Sequence, residues 1–174
     1  LGADATLDDG DAIVGGSVAN AYSGRNIAMG SDMTGDGAAD VLIGAIDAKS
    51  GGLKVGMVAI VSGAPESSPV DLSSGSSVAA RIFGGSGGDK FGVAMVAGAD
   101  LNGDGLPDPI ISARSAGANT GMVYAFASGT DLAGDFTASD ADWTITGVGS
   151  GARTGEFMAA AGDITGDGVD DLLV

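Results

Sequence analysis

This 174-residue sequence predicts an all-β fold of repeated four-stranded antiparallel sheets, on three observations. Glycine is abundant at 33 residues while aromatics make up only 5%. That balance suits many short strands joined by tight turns better than helices packed on large side chains. One acidic nine-residue pattern occurs three times, at 32–40, 100–108 and 163–171. A short apolar run, of strand length, follows each copy.

Charge and composition narrow the function before any motif is read. With 23 acidic and 7 basic residues the net charge is −16. Such a surface repels nucleic acid and anionic membrane and attracts cations. Ten of the acids lie inside the three windows, as three, three and four, so they are not one solvated run. The chain has no histidine and no cysteine, which removes disulfides, thiolate chemistry, the usual zinc sites and the commonest general base. No apolar run reaches the roughly 18 residues of a membrane span, and no signal peptide opens the chain at Leu1. Neither nucleic-acid binding nor membrane insertion is expected.

The three windows align residue for residue: Asp32 to Asp40, Asp100 to Asp108 and Asp163 to Asp171, with starts 68 (100 − 32) and 63 (163 − 100) residues apart. Spacing near 60 fits one propeller blade of four short strands. The flanks repeat too. Nine residues before each window stands a residue followed by glycine: Ser23-Gly24, Phe91-Gly92 and Thr154-Gly155. The small apolar stretches that follow (26–30, 93–98 and 157–162) read as inner strands whose short side chains let neighbouring strands approach. After each window comes an apolar run (41–43, 109–111, 172–174), expected to be a buried strand. A third element follows at Gly56–Val61 and Gly121–Phe126, closing in Ser62-Gly63 and Ser128-Gly129. Val78–Phe83 and Trp143–Thr146 would complete the blades, leaving 62–77 and 128–142 as surface loops.

Within each window, positions 1, 3, 5 and 9 carry side-chain oxygen: Asp32, Thr34, Asp36, Asp40; Asp100, Asn102, Asp104, Asp108; Asp163, Thr165, Asp167, Asp171. Glycine at position 6 (Gly37, Gly105, Gly168) permits the turn that folds them inward, and the carbonyls of Ala38, Leu106 and Val169 at position 7 can add a ligand. Six or more hard oxygens is the demand of Ca²⁺, so about three Ca²⁺ are expected. A helical EF-hand loop would need an acid at position 12, where Ile43, Ile111 and Val174 stand instead. A strand therefore leaves the loop. One isolated copy reads equally well as an ordinary Asx turn. Three with matching flanks, each crowding carboxylates that repel without a cation, argue for bound metal.

These residues resemble the FG-GAP repeat of integrin α-chains, a Ca²⁺-binding β-propeller family. The best copy runs from Lys90-Phe91-Gly92 through Asp100–Asp108 to Gly121–Phe126. The Gly-Ala-Pro of the family stands here as Gly44-Ala45-Ile46 and Ser112-Ala113-Arg114. The resemblance implies a single domain over 1–174, all-β, with about three blades of four antiparallel strands. It implies a calcium-binding adhesion or scaffold module, secreted or on the cell surface, that binds extracellular protein or glycan and does no catalysis. Two alternatives stand beside it. One is a lectin-like propeller, for which Trp143, Tyr22 and Tyr124 are the rings available to stack on sugar, although core packing is the expected role of each. The other is the non-catalytic or substrate-binding part of a secreted hydrolase or lyase, with Arg81, Arg114 and Arg153 facing an acidic substrate. Surface charge is the simpler reading of those arginines, and without His or Cys no nucleophile is paired with a base.

Three loops supply about three blades, fewer than the four of the smallest closed propellers. Leu1–Ala3 and Asp11–Gly16 resemble the second half of a blade whose first half ends at Val174. One blade is therefore expected to be split between the termini. The chain is then a partial propeller, one unit of a homo-oligomer or filament, or part of a longer parent chain.

Overall fold

The computed structural model describes residues 14–15, 20–63, 70–73, 77–129 and 132–174. Strand β1 (Val14–Gly15) comes first. Blade 1 follows, with β2 (Ser23–Met29), β3 (Val41–Ala45), a small hairpin of β4 (Lys49–Ser50) and β5 (Leu53–Lys54), then β6 (Met57–Val61), β7 (Val70–Asp71) and β8 (Val78–Phe83). Blade 2 comprises β9 (Phe91–Ala99), β10 (Asp108–Ala113), β11 (Met122–Ala125) and β13 (Trp143–Thr146), with β12 (Gly134–Thr137) in the connection from β11 to β13. Strands β14 (Ala159–Gly162) and β15 (Asp171–Leu173) begin blade 3.

The expected four-stranded antiparallel blades form. Blade 1 has the order β2-β3-β6-β8 and blade 2 the order β9-β10-β11-β13. The segments 78–83 and 143–146 are the outer strands, as the repeat implies. Two stretches assigned to loops are instead partly strand. Gly134–Thr137 pairs in parallel with the outer edge of blade 1, matching Asp135 to Arg81, and Val70–Asp71 pairs in parallel with Val14–Gly15. An outer edge presents unpaired N–H and C=O groups, and these connections cover it. Their strand character escapes sequence reading because each is short and belongs to the neighbouring blade's sheet.

Val14–Gly15 lies beside β7 as outer strand β8 lies beside β12, and β15 pairs with β14 alone among the described residues. The expected split blade also rests on residues 1–13, which lie outside the described residues.

The cores lie between blades, which stack face to face. Leu42, Val58, Ile60 and Ile82 of blade 1 close on Phe91, Ile111, Tyr124 and Phe126 of blade 2. A second layer sets Val96, Ile110 and Val123 of blade 2 against Met158 and Leu172 of blade 3. Strand alternation divides each blade this way. Leu42 and its repeat counterpart Ile110 face the following blade, while Ile43 and its counterpart Ile111 face the preceding one. The inner strands touch backbone to backbone: a side-chain carbon at Gly30 would lie 1.5 Å from the carbonyl oxygen of Ala97, so the small residues are required there.

The repeated residue-glycine pair has a conformational cause. Gly24, Gly92 and Gly155 have φ of 78°, 83° and 85°, and the residue two places before each, Tyr22, Lys90 and Arg153, has φ of 56°, 60° and 53°. Two left-handed residues bracket each entry into an inner strand.

The apolar runs 41–43 and 109–111 are buried or nearly so. Run 172–174 is not: Leu173 and Val174 are 56% and 52% exposed, because no strand of the described residues lies beyond β15. Tyr124 is buried, its ring 5.7 Å from that of Phe91. Trp143 and Tyr22, also expected in the core, are 41% and 55% exposed. Trp143 sits on an outer strand that, unlike β8, has no parallel strand laid over its edge among the described residues. None of the helices among the described residues is long and apolar enough to cross a membrane.

Candidate metal loops

Each acidic loop is the turn between an inner strand and the next strand, and all three are built by the same hydrogen bonds. The position-1 carboxylate gathers the backbone. Asp32 Oδ1 accepts the N–H groups of Gly35 (2.6 Å) and Asp36 (3.1 Å), and Oδ2 accepts that of Gly37 (2.7 Å). Asp100 does the same with Gly103, Asp104 and Gly105, and Asp163 with Gly166, Asp167 and Gly168. Position 5 accepts the N–H of position 7: Asp36 from Ala38, Asp104 from Leu106, Asp167 from Val169.

Position 9 ties the loop's start to the following strand. Asp40 Oδ2 accepts from Met33 (2.8 Å) and Thr34 (2.9 Å), Asp108 Oδ2 from Leu101 (2.9 Å), and Asp171 Oδ2 from Ile164 (2.8 Å) and Thr165 (2.9 Å). Asp40 and Asp108 are fully buried, while Asp171 is half-buried. A carboxylate oxygen has two lone pairs, so these bonds orient the group and leave acceptor capacity facing inward.

In loop 1, oxygens of Asp32, Asp36 and Asp40 lie within 4.8 Å of one another, the one such acidic group among the described residues. Thr34 Oγ1, at position 3, is buried beside Asp36, whose charged form it helps to hold. Hard oxygens gathered this closely fit a Ca²⁺ ion. In loop 2 the amide of Asn102 donates to Asp104 Oδ2 (2.8 Å).

Electrostatics differ among the loops. The Ser62 hydroxyl, then the Ala38 N–H, hold the Asp36 carboxyl below its ordinary range, and the Gly168 N–H does the same for Asp163. Burial pushes Asp108 up, and the charges of Asp104 and Asp100 add to the rise. A cation between them would act in the opposite direction.

Two contributors were missed by sequence reading. The Ser-Gly pairs, read only as strand ends, reach back to the loops: Ser62 Oγ donates to Asp36 Oδ2 (2.5 Å), Gly63 N to Asp40 Oδ1 (3.3 Å) and Ser128 N to Asp108 Oδ1 (2.9 Å). Their recurrence after each third strand was the available signal. Asp170, at position 8, also bridges blades. Its carboxylate accepts the N–H of Asp100 (3.0 Å), and its N–H donates to the Asp100 carbonyl (2.9 Å). It has no acidic counterpart at Ala39 or Pro107. Gly129 N donates to the Met33 carbonyl (3.1 Å), so residues beside loop 2 also touch loop 1.

The arginines considered for an acidic substrate are ion-paired. Arg81 meets Asp135 at 2.7 Å across the β8–β12 edge, and Arg114 meets Glu156 between blades 2 and 3. Arg153 stands 4.0 Å from the same Glu156.

Residues 91–126, from β9 through loop 2 to Phe126, match the FG-GAP repeat family model. The chain thus carries an FG-GAP repeat on an all-β, propeller-type blade. No curated protein matches the chain significantly.

Proposed function

We propose that the chain is a calcium-binding extracellular module, secreted or held at a cell surface, that serves adhesion or scaffolding without catalysis. The observation that carries this reading is the loop hydrogen-bond scheme, repeated three times with carboxylates at positions 1, 5 and 9. Asp32, Thr34, Asp36 and Asp40 would hold one ion, with the carbonyl of Ala38. The corresponding residues of loops 2 and 3 would hold two more. Bound ions would cancel the carboxylate repulsion and rigidify the turns between inner strands, leaving other surfaces of the blades to meet protein or glycan.

Calorimetric titration should find about three Ca²⁺ per chain, and chelator should lower the melting temperature. Ligand at a hundredfold excess over its dissociation constant stabilises by about 2.7 kcal/mol per site. Asp104→Ala should remove one ion. An unchanged melting temperature in chelator would refute the structural role of the ions.

A lectin-like reading is favoured by one observation, the exposure of Trp143 and Tyr22. Exposed rings can stack on sugar faces. Glycan-array binding lost in Trp143→Ala would select this reading over a scaffold without sugar specificity.

A further inference from the structure

We infer that Asp170 is a positioning residue that ties calcium occupancy of loop 3 to that of loop 2, so that these two loops fill as a pair while loop 1 fills apart from them. This coupling rests on the calcium reading above and specifies how its sites depend on one another.

Two hydrogen bonds meet at one residue. Asp170 stands at position 8 of loop 3, between Val169, whose carbonyl is a proposed ligand, and Asp171, whose carboxylate is another. Its own carboxylate accepts the N–H of Asp100 (3.0 Å), and its N–H donates to the Asp100 carbonyl (2.9 Å). Both backbone polar groups of Asp100 are therefore held by loop 3. Asp100 is the residue on which loop 2 is built, since its carboxylate gathers the N–H groups of Gly103, Asp104 and Gly105. Packing follows the same route. A side-chain carbon at Gly103 would lie 3.3 Å from Val169 Cγ1, so position 7 of loop 3 rests on position 4 of loop 2.

Loops 1 and 2 do not repeat this contact, for a reason written in the sequence. Position 8 of loop 2 is Pro107, which has neither an amide N–H to donate nor a carboxylate to accept. A side-chain carbon at Gly35, the counterpart of Gly103, would meet nothing within 4 Å among the described residues. Those two loops are joined instead through Gly129, beyond β11, whose N–H donates to the Met33 carbonyl (3.1 Å).

When Val169 and Asp171 are fixed as ligands, Asp170 between them is fixed as well, and it holds Asp100 in place. Part of the backbone entropy that loop 2 loses on binding is then lost beforehand. Coupling between two sites is reciprocal, so an ordered loop 2 favours loop 3 by the same factor.

The test is a calcium titration of the full 174-residue chain, isotopically labelled at glycine nitrogen and followed by NMR. Each loop carries its own reporter, because the amides of Gly37, Gly105 and Gly168 donate to the position-1 carboxylates. Asp167→Ala disables loop 3, as a silent Gly168 amide would report, and should move the Gly105 midpoint about tenfold higher in calcium. Asp104→Ala should move the Gly168 midpoint by the same factor and the Gly37 midpoint much less. Losing any carboxylate weakens cation binding through charge alone, so the deciding comparison uses two backgrounds of equal charge. Asp170→Asn retains an oxygen that can accept the Asp100 N–H, and in it Asp167→Ala should still produce the tenfold shift. In Asp170→Ala the shift should shrink to less than about twofold. A Gly105 midpoint unmoved by Asp167→Ala would overturn the coupling. So would equal shifts in the Asn and Ala backgrounds, or a Gly37 shift as large as that of Gly168. Wild-type glycine amides that ignore calcium altogether would refute the calcium reading, and the coupling with it, whereas loops that bind independently would refute the coupling alone.

Discussion

Loops 2 and 3 differ little in sequence or in backbone hydrogen bonding, yet the strands that follow them differ in burial. Asp108 is fully buried, and Ile110 after it is sealed between blades 2 and 3. Asp171 is half-buried and Leu173 more than half exposed. Local sequence is enough to shape the turn, because its donors and acceptors lie within nine residues. Burial is contributed by the neighbouring blade, and a loop acquires it only where one is stacked.

The sharpest way to break that comparison is to truncate the paired apolar residues. Ile110→Ala should cost about 3 kcal/mol, through lost transfer energy and the cavity left behind, whereas Leu173→Ala should cost less than about 1 kcal/mol. Denaturant unfolding of both variants checks this, and equal losses would mean that blade 3 is covered in solution.

The position-9 acids come next. Asp108→Ala leaves the N–H groups of Leu101 and Ser128 without their acceptor in a buried site and should cost about 2 kcal/mol. Asp171→Ala exposes its donors to water and should cost about half of that. Saturating calcium should enlarge both losses, since each acid is also a proposed ligand. A difference that does not change with calcium would confine position 9 to a structural role.

The smallest effect concerns Asp47, which gathers one lysine from its own blade and one from the next. Lys54, then Lys90, hold the Asp47 carboxyl below its ordinary 3.8. A depressed folded pKa contributes stability above the ordinary carboxylate range, and that contribution disappears as pH falls through the folded value. Asp47→Asn should therefore lower stability slightly at neutral pH and make no difference in strong acid. A constant gap between the two proteins across that range would show that the pair contributes nothing through charge.

Much of this architecture was legible beforehand. The inner strands, the loops, the third strands and the outer strands at 78–83 and 143–146 all lie where the repeat places them, because each carries its own apolar period and turn residues. The short parallel strands β7 and β12 were not legible. They have little strand composition of their own, and the edge they cover belongs to another blade. Asp170 was passed over for a similar reason: nothing in a single loop shows that position 8 reaches the loop beside it.

By itself, the sequence determined the loop geometry, since Asp32, Asp100 and Asp163 each find their three N–H partners within five residues. It also determined which side of its blade each strand residue takes, through alternation along the chain. Only the tertiary structure decided which of those faces are covered. Leu42 and Leu173 carry the same side chain at the same repeat position, and one is buried while the other faces water. Burial depends on what is stacked opposite, and that partner lies in another blade, not in the residues nearby in sequence.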